Sequence, residues 1–369
     1  MRRDDGSVDI DPADRGGRTA MGRRGRLRHA VLVGVLLVAT GVGVVVTFRS
    51  GARESVAVLA RASSVPYLLA AVGTSVLGLW LAMAAWRRIL ADVAHRPGLV
   101  DSARIYFVSL LGKFIPGPIW GLLVQIEMGR TLGIRGGSMT IGFFLNLGVT
   151  LLCGATVGMV VAPTVLGGQA LWLTVPLAVT VACFAWPALV NQAVTRVLRV
   201  LRRRRPAPDA PAVAEAGPRA VRVAIALSLA SWTVYGLHVW IIVTLLGAPP
   251  LRSLPVAVGA FGLAAVAGGF AVLLPDGWGA REAVLVLALA SVLPWPVAGV
   301  AAVTSRLVVL VSEVGLAGIA MLVGRVLRAR QATDATGTSP AAPDRAAHVA
   351  PAPDPPRPAR PDAAHPIRR

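Results

Sequence analysis

Charged and aromatic residues are scarce in this chain of 369 residues, at 15% and 5% of the total. Soluble domains contain about 25% charged residues, so the ordinary soluble globular class is excluded. What the chain has instead is 55% hydrophobic residues, and several apolar runs exceed the roughly 18 residues that indicate a bilayer span. We therefore predict an all-α polytopic membrane protein with about six to eight transmembrane helices.

Cysteine and lysine are almost absent. The two cysteines, Cys153 and Cys183, lie far apart in apolar runs, which indicates neither a zinc site nor a disulfide framework, and we predict no cofactor and no metal site. Lys113 is the only lysine among 37 basic side chains. Because lysine and arginine differ in shape and hydration, a sole lysine inside an interrupted hydrophobic segment indicates a chemical requirement, with chance retention as the alternative.

Acidic residues are half as frequent as basic ones, 18 against 37, which gives a net charge of +19. Such basicity raises the question of nucleic-acid binding. The arginines cluster at the N-terminus, between hydrophobic runs and in the tail, where the positive-inside rule places them. This distribution predicts no nucleic-acid partner and favours contact with anionic lipid headgroups.

The hydrophobic runs divide the chain into three segments. Residues 1–28 form a basic N-terminal segment, 29–324 the membrane domain, and 325–369 a Pro/Ala/Arg-rich tail with too little apolar surface to fold, which we predict to be disordered. The arginine clusters place both termini in the cytoplasm, with the protein in the plasma membrane. The membrane domain has two halves, 29–190 and 221–324, joined by a basic linker, 191–220. Spans are predicted at about 29–48, 65–86, 138–162, 169–190, 221–246 and 297–324.

Two interrupted stretches, about 103–130 and 254–293, organise the membrane domain. Their centres, Gly112–Gly121 and Pro275–Glu282, place proline, glycine, tryptophan and charge among apolar residues. Proline prevents an uninterrupted helix, and broken backbone survives in lipid only where protein or water shelters it. We predict two re-entrant helical hairpins. The alternative is that each hairpin crosses the membrane twice, which leaves the orientation of all other segments unchanged. The order span, hairpin, span then occurs twice in opposite orientations, an inverted repeat whose hairpins meet near the midplane.

The chemistry at these breaks suits an anion. A broken helix presents free N–H groups and a positive dipole end, to which Lys113 and Arg281 add charge, while Glu127 and Glu282 balance them or couple a cation. The alternative is that the Pro/Gly pairs only kink packed helices. No catalytic residue is predicted. The predicted substrate-binding residues are Lys113, Pro116, Gly117, Trp120, Glu127, Pro275, Gly277, Gly279, Arg281, Glu282 and Arg306.

Three polar positions, Arg306 among them, lie inside predicted spans. Arg306 and Glu313 are seven residues apart and share a helix face, so they pair with each other or with other helices, or contact substrate. His238 is either a proton relay or a hydrogen-bonded structural residue.

At the two breaks the sequence resembles the lysylphosphatidylglycerol synthase transmembrane-region family, which is flippase-like. Gly112, Lys113, Phe114, Ile115, Pro116 and Gly117 match its first motif, and Pro275, Gly277, Gly279, Arg281 and Glu282 match its second. Asp276 replaces a usual glycine and Trp278 a usual aliphatic residue. The resemblance spans about residues 30–325 and implies lipid translocation between leaflets. It does not imply lysine transfer, because the family's aminoacyl-transferase domain is missing.

The leading hypothesis is a flippase for an anionic phospholipid or a polyprenyl-linked lipid, without enzymatic turnover. One alternative is a membrane enzyme acting on a lipid-linked sugar or phosphate, with Glu127 or Glu282 as base. Another is a non-transporting scaffold for a cell-envelope synthase. The expected partners are membrane lipids, together with that synthase in the scaffold case; the oligomeric state stays open, a homo-oligomer included.

Overall fold

A computed structural model describes most of the membrane domain, and within the described ranges the chain is helical with no β-strand. The predicted N-terminal segment 1–28 and first span 29–48 lie outside those ranges. The described ranges are 52–115, 119–163, 174–203, 215–270 and 275–337. Their helices are α1 Ala52–Leu59, α2 Val65–Val93, α3 Leu99–Leu110, α4 Trp120–Arg130, α5 Gly136–Gly158, α6 Thr174–Ala185, α7 Ala188–Arg203, α8 Pro218–Leu245, α9 Pro250–Phe270, α10 Ala280–Leu289 and α11 Trp295–Gly337.

Five of these helices are long and apolar enough to cross a membrane: α2 with the turn before it, α5 with the turn after it, α8, α9 and α11. A helix rises about 1.5 Å per residue, so a helix of 21 residues such as α9 covers the hydrocarbon core of about 30 Å. The predicted all-α polytopic class is confirmed.

The span predicted at 169–190 differs from what the structure shows. Helix α6 ends at Ala185, and α7 begins at Ala188 after a bend of 111°. Pro187 lies at the bend, where it lacks an N–H group and moves the preceding residue away from helical geometry. Helix α7 then continues to Arg203, within the segment predicted as linker.

The two interrupted stretches are both broken, but they are not equivalent. In the first, α3 and α4 have 12 and 11 residues, each too short for a span. In the second, α9 has 21 residues and α10 only 10. The first stretch therefore has the limb lengths of a re-entrant hairpin, whereas the second combines a helix of spanning length with a short one.

Glycines bring helices of the two halves into backbone contact. Gly154 and Gly158 of α5 face Gly262 and Leu263 of α9: a Cβ atom added at Gly158 would lie 2.8 Å from the Leu263 nitrogen, and one at Gly262 would lie 2.8 Å from the Gly154 oxygen. Small residues four apart permit this close approach in membranes. Gly78 on α2 packs in the same way on Tyr235 of α8.

The chain divides into two compact units, Met1–Arg325 and Val326–Arg369. Within the second unit, the described residues 326–337 are helical, although the disordered tail was predicted to begin at 325. This segment is rich in Arg and Ala, which have high helix propensity. The remainder of the tail lies outside the described residues.

Candidate functional site

The first break is a tight turn at the end of α3. A 3-10 turn covers Leu111–Phe114, and Ile115 is extended, with φ −92° and ψ 131°. Gly112 lies against the start of α4, where an added Cβ atom would be 2.5 Å from the Gly121 nitrogen. The two limbs thus meet backbone to backbone, and Lys113 is held at the turn. Pro116 and Gly117 lie outside the described residues.

The second break has left-handed backbone at three positions. Asp276 has φ 50° and ψ 27°, and Gly277 and Gly279 have φ 64° and 86°. Aspartate is one of the few residues other than glycine that adopt this conformation. At Gly277, an added Cβ atom would clash with Gly268 of α9. Helix α10 follows, and the Gly279 N–H donates a hydrogen bond of 2.7 Å to Glu282 Oε2, a cap for the free helix end.

Asp276 joins the two breaks to the last helix. Its Oδ1 lies 3.1 Å from Lys113 Nζ, and its Oδ2 lies 3.3 Å from Arg306 Nη2 and 3.8 Å from Arg281 Nη1. Arg306 also pairs with Glu282 Oε1. The two interrupted stretches therefore meet, as the topology predicted, and they meet through ion pairs.

Glu313 of α11 completes this group as the second carboxylate paired with Lys113. Lys113 Nζ donates a hydrogen bond of 2.7 Å to Glu313 Oε1, and the Tyr235 hydroxyl lies 3.4 Å from the same oxygen. Within the described part of the chain, Glu313 Oε2 has no hydrogen-bond partner although it is buried. Glu313 thus has one engaged and one unengaged oxygen.

These six side chains, Lys113, Asp276, Arg281, Glu282, Arg306 and Glu313, form what we term the charge cluster. It holds three cations and three carboxylates, so it is neutral overall. Charges inside membrane domains are costly and persist when they face the bundle interior and pair with one another. The side chains range from 3% exposed at Glu313 to 29% at Lys113, so Lys113 is the member most open to a ligand.

A cavity of about 390 Å³ lies beside the charge cluster. Lys113, Asp276, Arg281 and Glu313 line its charged part, and the polar residues Gln125 and Asn146 line it as well. The remaining wall is mostly apolar and comes from α2, α3, α5, α8 and α9. Its apolar members include Leu79, Leu110, Phe143, Leu147, Trp232, Phe261 and Ala265. A cavity with charge in one part and apolar wall in the rest suits an amphipathic ligand.

Hydrogen bonds fix the polar wall on the α3 side of the cavity. The Trp86 indole N–H donates to Gln125 Oε1 at 3.2 Å, the Gln125 amide donates to Ser109 Oγ at 3.0 Å, and the Ser109 hydroxyl donates to the Tyr106 carbonyl at 2.7 Å. Each group in this row is satisfied. By contrast, Asn146 Oδ1, on the α5 side, is buried without a partner among the described residues.

The family model for the lysylphosphatidylglycerol synthase TM region matches residues 31–316. The chain belongs to this family. The match contains both interrupted stretches and all six residues of the charge cluster, and together with the five long apolar helices it makes the chain a multi-pass membrane protein. A comparison with functionally curated proteins found no match.

The structure of this family member brings some of the predicted site residues together and leaves others apart. Lys113, Arg281, Glu282 and Arg306 lie in the charge cluster. Gly277 and Gly279 shape the turn beside it, and Pro275 begins that turn. Trp120 begins α4 and is 40% exposed.

Glu127 lies outside the charge cluster. Its side chain is 77% exposed and pairs with Arg130 at 3.7 Å, a surface pair one turn apart on α4. The expectation that Glu127 balances Lys113 is therefore not met, because Asp276 and Glu313 do so instead.

Two carboxylates of the charge cluster, Asp276 and Glu313, were not among the predicted site residues. At Asp276 the signal was the exchange of a usual glycine for a carboxylate in the second motif. For Glu313 the signal was a charge inside a span, and Arg306 and Glu313 each pair with residues outside α11.

His238 belongs to the packing between α8 and α11. Its Nε2 is 2.8 Å from Ser305 Oγ, and its Nδ1 contacts the Tyr235 carbonyl. The ring is completely buried. These contacts match the hydrogen-bonded structural alternative for His238.

Proposed function

We propose that this protein translocates a lipid with an anionic headgroup, a phospholipid or a polyprenyl-linked lipid, between membrane leaflets. The main support for this proposal is that both interrupted stretches bring charged side chains to one cavity, whose remaining wall is mostly apolar. The headgroup occupies the charged part of the cavity, and the lipid chains follow the apolar wall.

Lys113 and Arg281 are the groups that contact the headgroup in this proposal. Both line the cavity, and they come from different interrupted stretches, so a bound headgroup touches both. A phosphate gains charge-assisted hydrogen bonds from each, which are about twice as strong as neutral ones. The cavity volume of about 390 Å³ lies within the range of roughly 300–1,000 Å³ typical of small-ligand sites.

The positions of Glu127 and Glu282 favour transport over catalysis. A general base must lie within hydrogen-bond reach of the proton it removes from the bound substrate. Glu127 is a surface residue paired with Arg130. Glu282 has one oxygen on the Gly279 N–H and the other on Arg306, and neither Glu127 nor Glu282 is among the residues that line the cavity.

The test is lipid flipping in proteoliposomes, followed by dithionite quenching of fluorescent phosphatidylglycerol. Lys113→Ala and Arg281→Ala are expected to abolish flipping. Glu127→Gln is the matched control, since it removes a carboxylate from the same first stretch but outside the charge cluster, and its rate is expected to equal that of the wild type. Unchanged flipping in both Lys113→Ala and Arg281→Ala contradicts the site.

A charge-balanced variant separates loss of binding from loss of fold. Lys113→Ala combined with Glu313→Gln removes one cation and one carboxylate, so the cluster stays neutral. We expect this double variant to fold as the wild type does and still fail to flip lipid. Native mass spectrometry of the gently purified protein then identifies the bound lipid, whose loss in the same variant is the second readout.

A further inference from the structure

The neutrality of the charge cluster creates a problem for an anionic ligand. All three cations already have carboxylate partners within 4 Å. A monoanionic phosphate diester that joins the cluster leaves a net negative charge in a mostly apolar cavity, and such a charge is costly unless it is compensated. A proton taken up by one of the three carboxylates restores neutrality.

Two of the three carboxylates are poorly suited to take that proton. Asp276 faces three cations within 3.8 Å, all of which favour its ionised form. Glu282 accepts the Gly279 N–H with one oxygen and pairs with Arg306 through the other, so protonation breaks either a helix cap or an ion pair.

Glu313 is the exception, for three reasons. Only one of its oxygens is engaged, and the other is buried without a partner among the described residues. Its side chain is 3% exposed, so its charge is the least solvated of the six. It also lines the cavity beside Lys113, the cation most open to a headgroup.

We propose that Glu313 is a proton-binding site coupled to the headgroup, so that one proton is bound with each anionic headgroup. This inference rests on the proposed function. On binding, Lys113 Nζ transfers its hydrogen bond from Glu313 Oε1 to a phosphate oxygen. A proton from water binds Glu313 Oε2, which then donates a hydrogen bond to the phosphate or to a neighbouring acceptor. No covalent bond of the lipid changes, and the total charge of the cluster with its ligand stays at zero.

The groups around Glu313 are consistent with this role. Lys113 lies on the first break, and Asp276 and Arg281 lie on the second. From α8, Tyr235 donates its hydroxyl to Glu313, and His238 lies behind Tyr235, engaged with Ser305. Tyr106 on α3 lines the same cavity as Glu313, and Arg306 on α11 itself is paired with Asp276 and Glu282. Among these neighbours, Lys113 is the only cation paired with Glu313.

The consequence is a linkage between pH and lipid affinity. If one proton is taken up per anionic headgroup, affinity rises as pH falls, by up to about tenfold per pH unit while Glu313 is ionised in the free protein. A zwitterionic headgroup brings no net charge, so its affinity is expected to be independent of pH. By reciprocity, bound lipid favours proton binding to the same extent.

The most direct test uses the wild-type protein in detergent, weakly buffered with a pH-indicator dye. Addition of short-chain phosphatidylglycerol is expected to take up about one proton per bound lipid, and phosphatidylcholine of the same chain length none. Binding of phosphatidylglycerol without proton uptake overturns the proposal. This measurement needs no variant, so a misfolded mutant cannot confuse it.

Two variants test whether Glu313 is the residue that binds the proton. Glu313→Gln mimics the protonated form, so it is expected to bind phosphatidylglycerol tightly at high pH and to lose both pH dependence and proton uptake. Tyr235→Phe removes one donor from the ionised carboxylate of the free protein and retains the charge, so the pH below which affinity stops rising is expected to move upward. Full pH dependence in folded Glu313→Gln contradicts the assignment.

Failure of this inference is distinguishable from failure of the proposed function. Flipping that depends on Lys113 but not on pH retains the flippase and overturns the proton site. Absence of flipping of both phosphatidylglycerol and a polyprenyl phosphate, at pH 6 and at pH 8 alike, overturns the proposed function itself.

Discussion

Asp276 gives the sharpest test of the charge cluster, because three cations depend on it. Asp276→Asn keeps the size of the side chain and a residue type that tolerates the left-handed backbone. It leaves three cations against two carboxylates. Lys113 keeps Glu313 and Arg306 keeps Glu282, but Arg281, whose side chain is 9% exposed, loses the carboxylate 3.8 Å away.

The expected magnitude follows from that burial. Removing one partner of a buried ion pair costs about 3–5 kcal/mol, because the other charge is left uncompensated. Asp276 is 10% exposed, so we expect the free energy of unfolding to fall by roughly that amount. Arg281→Gln added to Asp276→Asn makes the cluster neutral again, and the double variant is expected to be more stable than Asp276→Asn alone.

The assay is unfolding in mixed micelles, followed by helical signal over a denaturant series. Glu127→Gln is the control: its pair with Arg130 is mostly solvent-exposed, and such pairs contribute about 0–1 kcal/mol. The reasoning is refuted if Asp276→Asn is as stable as Glu127→Gln, or if Arg281→Gln lowers stability equally with and without Asp276→Asn.

Two further substitutions test the first break. Gly112→Ala places a Cβ atom 2.5 Å from the Gly121 nitrogen and is expected to destabilise the protein by about 1–3 kcal/mol. At Gly73, an added Cβ atom meets nothing within 4 Å among the described residues beyond its own stretch of helix, so Gly73→Ala is expected to be neutral or stabilising by about 0.5–1 kcal/mol. Equal melting temperatures for the two variants contradict the close contact at Gly112. Lys113→Arg retains the charge but replaces a compact ammonium with a planar guanidinium. We expect a folded protein that flips lipid about tenfold more slowly, because one well-formed charge-assisted hydrogen bond is lost. Flipping at the wild-type rate would mean that only the charge is required.

The positions of the long helices were predictable because a long run of apolar residues is by itself the signal of a membrane-spanning helix. The spans predicted at 65–86 and 221–246 correspond to Val65–Val93 and Pro218–Leu245. The 111° bend after α6 was not predicted. An apolar run with one internal proline has the same sequence pattern in a kinked spanning helix and in two helices that meet at a sharp angle. Packing against neighbouring helices decides between these outcomes, and the local hydrophobic pattern of the segment does not reveal that packing.

The sequence was sufficient to predict the cations of the charge cluster, but not which carboxylates pair with them. Lys113 and Arg281 stand out because broken, charged backbone is costly in a membrane. Their partners are long-range: Glu313 is 200 residues from Lys113. Glu127 was the nearer candidate in sequence, but its position on α4 directs it toward Arg130. Which carboxylate meets which cation is set by the packing of α11 against the two breaks.

The glycine contacts between α5 and α9 limit how this protein can change shape. Helix α5 belongs to the first half of the membrane domain and α9 to the second, and a Cβ atom at Gly158 has no room beside Leu263. The halves are also joined where Gly78 meets Tyr235. A rocking motion of one half against the other breaks both backbone contacts, whereas a displacement of the short helices α3 and α4 leaves them in place. We therefore expect the long helices to keep their positions during any conformational change, and the ion pairs of the charge cluster to be the contacts that break and re-form.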